Sequence, residues 1–454
     1  MAVVIESDVW EPNKALYIFT LISCFVSIYF CPHNFGRTAA ATVFDHSQPS
    51  SAFHRFHRSF LLLFSLSSVV EGLGAVFGEY EWEYYYDGVS NKEQMLLCLF
   101  VGCAASLCIG TFLGVLSDLM GPKKVCLLFY LLHLFVSVFK SVLIHPSFLF
   151  ASFCLSLASS ILSFSFETWM VVEVDKLGQR QDTLNEMFWL MTFVESASFI
   201  GSQFLGNWLI IGNRDKTILS PHNAAGVLAV ASIIYVARGS KENPRMACFT
   251  DYCTSFRTHI FSDKRIWMLS WSQACVHFSI AVFWILWAPT IVADGREVQL
   301  GLIYPCLMGA RMLGSTAFPW FFSGTISIRT EECLLYVFPV MGLILSVVAY
   351  DYQDIGVLLV LFFLFHACVG LALPSLARLR SMYVPNELRG GMISLSQAPA
   401  NVILLLFLIL RGYYRTLTNS TIIAFAGLSL FSAAGCMYML KRPGKQLYQN
   451  WHKL

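Results

Sequence analysis

A handful of polar or ionisable residues stand inside otherwise apolar stretches of this chain: Glu71, Glu167, Glu195, Gln273, His277, Arg311, His366 and Gln397. An ionisable group in hydrocarbon costs about 2.5 kcal/mol or more on insertion scales, so it persists where it faces a cavity or a partner. Glu167 is flanked by Phe164, Phe166 and Trp169. A glutamate that alternates between apolar surroundings and a neighbouring cation can carry a proton; a fixed salt bridge between helices is the structural alternative. His277 and His366 tolerate an apolar setting when neutral and suit substrate binding, proton relay or plain packing. Arg311 is a fixed cation that asks for an anionic substrate or an ion pair. Glu71 and Glu195 add two further acids. Gln273 and Gln397 offer neutral donors and acceptors, either to a solute path or between helices. All eight are candidates for holding a substrate or a coupling ion.

Enzymatic chemistry finds little support. There is no phosphate-binding Walker loop, which argues against ATP-driven pumping by this chain alone. Cys248, Cys253 and His259 share a polar stretch, but their spacing matches no zinc pattern. No metal or cofactor is expected. Most of the other cysteines, such as Cys98, Cys154 and Cys275, sit in apolar runs and act as small apolar residues.

The elements that must position these residues are legible from composition. Of 454 residues, 56% are hydrophobic and 13% charged, against about 25% charged in soluble proteins. A spanning helix needs about 20 mostly apolar residues, and in hydrocarbon such runs read as helices. They fall near residues 14–31, 59–79, 94–116, 124–144, 147–171, 186–211, 220–237, 266–292, 299–322, 333–350, 355–377, 390–411 and 420–440. The first has an acidic flank (Glu6, Asp8, Glu11) rather than a basic one, so it reads as a retained helix and not a cleaved signal peptide.

Lys and Arg sort strongly between alternate loops. Arg37, Arg55, Arg58, Lys123, Lys124, Lys176, Arg180, the 238–265 stretch, Arg329, Arg378, Arg380, Arg389 and the tail fall on one side. Only Lys14, Lys92, Arg214, Lys216, Arg296, Arg411 and Arg415 fall on the other. Positive charge collects in the cytoplasm, so the N-terminus is expected outside and the C-terminus inside. The expected organisation is an outer N-terminus, leading helix and inner loop over 1–58, then a six-helix bundle over 59–237. A cytoplasmic linker over 238–265, a second six-helix bundle over 266–440 and an inner tail over 441–454 complete it. The expected partners are the lipid bilayer and a small-molecule or ion substrate, with no nucleic acid. A monomer in the plasma membrane is the expected state.

Between the third and fourth spans the chain reads Gly114-Val-Leu-Ser-Asp118-Leu-Met-Gly121-Pro122-Lys123-Lys124. Gly114 permits close helix approach, Gly121 a tight turn, and Asp118 can cap a neighbouring helix end. Lys123 and Lys124 hold the loop in the cytoplasm. This segment resembles the cytoplasmic loop signature of the major facilitator superfamily, with Pro122 where the pattern usually has Arg. The resemblance implies an all-α polytopic membrane protein with two six-helix bundles, here preceded by one extra transmembrane helix. It also implies transport by alternating access around a midplane site.

A narrower resemblance runs through most of the chain. Phe164-Ser-Phe166-Glu167-Thr168-Trp169, then Glu173, is similar to a segment of the molybdate-anion transporter family. So are Gln273, Leu286-Trp287-Ala288-Pro289, Met312-Leu313-Gly314-Ser315, Gly370, Pro374-Ser375, Arg380-Ser381, Pro385, Glu387 and Arg389. That family also carries an additional leading helix, and the resemblance implies a molybdate-type anion as substrate. Departures are concentrated at charged positions. His277 and His366 stand where the family has Glu, and Gln397 and about Ser152 where it has Arg. Its first-helix signature is not recognisable around Glu71. Arg311 is a cation this chain adds. The alternatives are a proton-coupled carrier of a neutral or cationic metabolite, and a transporter-like sensor or scaffold.

Overall fold

The computed structural model describes residues 10–30, 51–85, 91–142, 147–178, 181–212, 220–238, 249–292, 298–322, 328–350, 354–414 and 417–441. Its helices in chain order are α1 (Lys14–Tyr29), α2 (Ser51–Tyr85), and α3 (Asn91–Ala105, a π turn at Ser106–Gly110, then Thr111–Met120). They continue as α4 (Pro122–Val142), α5 (Phe148–Lys176), α6 (Gln181–Gly212), α7 (Pro221–Ala237) and α8 (Phe249–Phe256, running into a π turn at Arg257–Phe261). The rest are α9 (Lys264–Ile291), α10 (Leu300–Phe322), α11 (Thr330–Ala349), α12 (Ile355–Tyr383), α13 (Arg389–Tyr414) and α14 (Asn419–Lys441). Each of the thirteen expected spans has its helix. Among the described residues, eight helices are long and apolar enough to cross a membrane, and α1 and α7 are shorter apolar ones. Helix α8 is an addition inside the 238–265 stretch, of which residues 239–248 lie outside the described set, as does the tail beyond Lys441.

Helix starts are written in the sequence. The side chains of Asn13, Asp263 and Asp354 each accept a hydrogen bond from the backbone N–H two residues on, at the heads of α1, α9 and α12. Such caps satisfy donors that the first helical turn leaves open. Gly121 ends α3 at φ 102°, a conformation that glycine adopts without a Cβ clash.

The fold is the major facilitator arrangement of two six-helix bundles plus one leading helix. In the first bundle α2 packs on α6 and α7, α4 on α5 and α7, and α3 on α5; in the second α11 packs on α14, α10 on α12, and α9 on α13 and α14. The bundles meet along two seams, α6 against α10 and α12, and α3 against α13. Small residues permit the tightest approaches. A Cβ on Gly314 would lie 1.9 Å from the Ala367 carbonyl oxygen, and one on Gly370 would lie 2.1 Å from that of Arg311, so α10 and α12 touch backbone to backbone. Large apolar side chains, among them Trp208, Val227 and Tyr336, are left on the outer face, as a lipid-facing surface requires.

The leading helix is tied to α10. Trp10 pairs with Val298 as an isolated parallel bridge. The Tyr17 hydroxyl donates to the Leu302 carbonyl at 2.5 Å, and the Trp320 indole donates to the Ser27 carbonyl at 3.3 Å. Contacts that rise together in number mean α1 runs parallel to α10. Its N-terminal end therefore lies opposite the Gly114–Lys124 loop.

Candidate functional site

Three helices present their polar residues by one rule. Residues at i, i+3, i+4 and i+7 share a helical face. On α6 these are Phe188, Met191, Thr192 and Glu195; on α9, Gln273, Val276, His277 and Ile280; on α12, Leu373, Leu376, Ala377 and Arg380. Helix α5 adds Ser163 and Glu167, four apart. The buried rings of Phe164, Phe166 and Trp169 anchor the remaining faces of α5 in the core. Together with Arg311 from α10 and Gln397 from α13, these residues line one cavity of about 230 Å³ between the two bundles. Pro374 lies inside α12, and its missing N–H leaves the Gly370 carbonyl without its helical donor.

Glu167 sits at the base of the cavity in a cluster of cations. Arg380 Nε donates to Glu167 Oε1 at 2.9 Å, and Arg380 Nη2 donates to Glu167 Oε2. This is a two-pronged guanidinium–carboxylate pair. Arg380 Nη1 also donates to Gln273 Oε1 at 3.0 Å. Arg389, with no exposed surface, donates to Glu167 Oε1 at 3.4 Å, to Asn386 Oδ1 at 3.2 Å and to the Arg380 carbonyl at 3.4 Å. Glu167 therefore has two cation partners at once.

The second ion pair is simpler. Arg311 Nη2 donates to Glu195 Oε2, and Arg311 is the one cation that reaches Glu195 among the described residues. The Nε of Arg311 is buried with no hydrogen-bond partner. Both pairs cross the interface between bundles, with the acids on α5 and α6 and the bases on α10 and α12.

The other sequence candidates divide. Gln397 donates to Ser163 Oγ at 3.0 Å, also across the interface. His277 borders the cavity, with Asn401 as a polar neighbour. His366 does not line it: its ring, 1% exposed and with neither nitrogen hydrogen-bonded, packs among Phe283, Trp284 and Phe365. Glu71 lies away from the cavity too, paired with His133 Nε2 at 3.0 Å within the first bundle. Two cations were assigned by sequence to a cytoplasmic loop. Arg380 lies on α12, which continues to Tyr383, and Arg389 begins α13. The i+3, i+4, i+7 spacing of Arg380 from Ala377, Leu376 and Leu373 was the available signal.

Beneath the cavity lies the Gly114–Lys124 loop. Asp118, 1% exposed, accepts from the Gly390 N–H at 2.9 Å, the Gly391 N–H at 2.7 Å and the Tyr252 hydroxyl at 3.0 Å. It thus caps the positive end of α13 and ties α8 to both bundles. Burial, then the Asp118 charge, pushes the Tyr252 phenol far above its ordinary pKa, so it stays a donor. A Cβ on Gly114 would fall 1.9 Å from Ser394 Oγ and 2.6 Å from the Gly390 carbonyl, so glycine alone allows this approach. Lys123 lies over the Trp169 ring and 3.5 Å from Glu173, while Lys124 is exposed. No group of residues able to hold a metal ion occurs among the described residues, and Cys248 lies outside them. The acidic, aromatic stretch after Glu79 continues as helix to Tyr85.

Residues 31–356 match the model of a family described as sugar transporters with 12 transmembrane segments. The chain is similar to the molybdate-anion transporter of Takifugu rubripes, 23% identical over 394 residues, covering 78% of each chain. It is also similar to those of Xenopus laevis, 25% over 382 residues (79% of this chain, 81% of the relative), and Danio rerio, 25% over 383 residues (78% of each). Among solved structures, the fucose:proton symporter FucP of E. coli superposes with a TM-score of 0.64 at 12% identity, covering 85% of this chain and 98% of that one. A major facilitator transporter structure of FucP in the outward conformation gives 0.63 over the same shares.

Proposed function

This chain belongs to the MFS_5 family of twelve-span transporters, and from that premise we propose that its central cavity carries a small oxyanion, molybdate first, by alternating access. One observation carries this reading: two arginines, Arg311 and Arg380, border a single cavity with the neutral donors Gln273 and Gln397 beside them. A guanidinium presents a planar fork of donors that matches an oxyanion. A space of about 230 Å³ admits one tetrahedral oxyanion and several waters, each of which takes about 30 Å³. The naming of three relatives as molybdate-anion transporters supports the choice of anion.

Without substrate, each arginine is paired with a carboxylate of the other bundle. An oxyanion that takes over those donors replaces direct links between bundles with links through the substrate. The bodies that rock are residues 59–237 and 266–440, joined by the 238–265 linker. Asp118 holds the α3–α13 seam closed on the cytoplasmic side. The N-terminus lies outside and the C-terminus in the cytoplasm, in the plasma membrane, and a monomer contains the whole path.

The test is purified protein in liposomes, with thermal shift and radiolabelled flux measured for molybdate, sulfate, fucose and a neutral amino acid. Molybdate should stabilise the protein and cross, and excess cold molybdate should compete. The family's description makes sugars the main rival. If fucose crosses and molybdate neither binds nor crosses, the oxyanion reading is wrong.

A further inference from the structure

The two ion pairs in the cavity are not equivalent. Glu167 touches two cations, Arg380 and Arg389, from α12 and α13. Glu195 touches one, Arg311 from α10. If a dianion draws Arg380 to itself, Glu167 keeps Arg389, which is fully buried and has Glu167 as its carboxylate partner. If the same dianion draws Arg311, Glu195 is left ionised between two bundles, with no other cation in contact with it among the described residues. An uncompensated carboxylate there carries a large desolvation cost, and the nearby dianion repels it further. Taking up a proton removes both costs.

We propose that Glu195 is the proton-coupling site of this transporter, protonated as the oxyanion takes Arg311 and deprotonated as the oxyanion leaves. This rests on the oxyanion reading above. The exchange balances: the proton comes from water on the side of entry and bonds to a Glu195 oxygen. Arg311 stays a guanidinium whose N–H donors pass from Glu195 to the oxyanion. Release on the far side reverses both steps, so one proton accompanies each dianion.

The charged and titratable groups around this site are few. Of the helices packed against α6, α10 contributes Arg311, α12 contributes Arg380, and α2 contributes Glu71, which is held by His133 away from the cavity; His277 of α9 borders the same cavity. On the first-bundle side the cavity offers Glu167 from α5, already held by its two arginines. His366 of α12 lies in electrostatic range of Arg311 but away from the cavity lining. Its ring is a packed neighbour and not a route. The Arg311 Nε, buried and unpartnered, is a donor left over for the oxyanion once Glu195 lets go.

The experiment uses the full chain in liposomes loaded with a pH-sensitive dye, with the membrane potential clamped and a molybdate gradient imposed. Wild type should acidify the interior by one proton per molybdate taken up, and an inward proton gradient should speed uptake. Glu195→Gln should still take up molybdate, more slowly, with no acidification and no response to the pH gradient. Glu195→Asp should restore acidification, which a merely structural loss would not explain. Molybdate uptake by wild type without acidification, or an unchanged proton-to-molybdate ratio in Glu195→Gln, overturns the coupling role while leaving the carrier reading intact. Absence of any molybdate uptake by wild type instead removes the carrier reading, and the coupling role with it.

Discussion

Glu167 and Glu195 show how the same side chain acquires different duties from its neighbours. Arg389 has no exposed surface, and Glu167 is its carboxylate partner. Glu167→Gln therefore leaves a buried guanidinium without a counter-charge, which costs about 3–5 kcal/mol. The purified variant should lose thermal stability and yield far more than Glu195→Gln, which leaves only the cavity-bordering Arg311 unpaired. Equal losses in the two variants would mean that the second cation on Glu167 does not matter. The arginines can be tested by binding. Hydrogen bonds to charged groups contribute about 1.5–3 kcal/mol, so Arg311→Ala and Arg380→Ala should each weaken molybdate binding by about ten- to a hundredfold. Titration calorimetry on purified variants reads this directly, and unchanged affinity in either would take that residue out of the anion site.

At the scale of elements, helices were readable and their ends were not. Apolar runs of bilayer length located all thirteen spans, because hydrocarbon leaves a backbone few other choices. The eleventh span was expected to stop at residue 377, since Arg378 and Arg380 resemble the polar end of a span. The helix runs on to Tyr383, because Glu167 and Gln273 receive the Arg380 side chain inside the protein. His133 carries no signal within its own apolar run; its partner Glu71 lies on another helix, a pairing that no local pattern reveals. Helix α8 was missed because its role is a contact: Tyr252 reaching Asp118. Removing that hydroxyl with Tyr252→Phe should cost about 1 kcal/mol, and Asp118→Ala, which also removes the α13 cap, up to about 2 kcal/mol. Both should loosen the α3–α13 seam, seen as faster thiol labelling of a Ser394→Cys reporter. A reporter that stays equally protected in both variants would show that the seam does not depend on this latch. Tighter packing makes a larger demand at α10–α12. Gly314→Val pushes a side chain into the Ala367 carbonyl and should cost about 1–3 kcal/mol or more, lowering the unfolding temperature and displacing Arg311.

For the whole molecule, both bundles contribute to each cavity ion pair, so under the proposed exchange the links that hold the substrate-free form together compete with the substrate. The sequence comparison suggested that the cavity had lost cations, at Gln397 and near Ser152. The three-dimensional arrangement supplies Arg380 from a position that looked like a loop, so the cations of the cavity were not legible from sequence, although the family resemblance already pointed to a molybdate-type anion. Competition has a consequence opposite to the usual effect of deleting a charged residue from a binding site. Glu195→Gln removes the carboxylate that occupies Arg311 and stands in for its protonated form. The substrate-free protein should become less stable, because one link between bundles is weakened. Molybdate should nevertheless bind more tightly, by about tenfold if the exchange with Glu195 opposes binding by about 1.4 kcal/mol. The thermal shift at a fixed molybdate concentration should then grow, since stabilisation follows the ratio of ligand to dissociation constant. The sign of the pH effect follows as well. Wild-type affinity should rise as pH falls, because binding takes up a proton, whereas the affinity of Glu195→Gln should be flat with pH. Calorimetric titrations of both proteins at several pH values decide it. Weaker binding by Glu195→Gln would mean that Glu195 orients Arg311 for the substrate and does not compete with it.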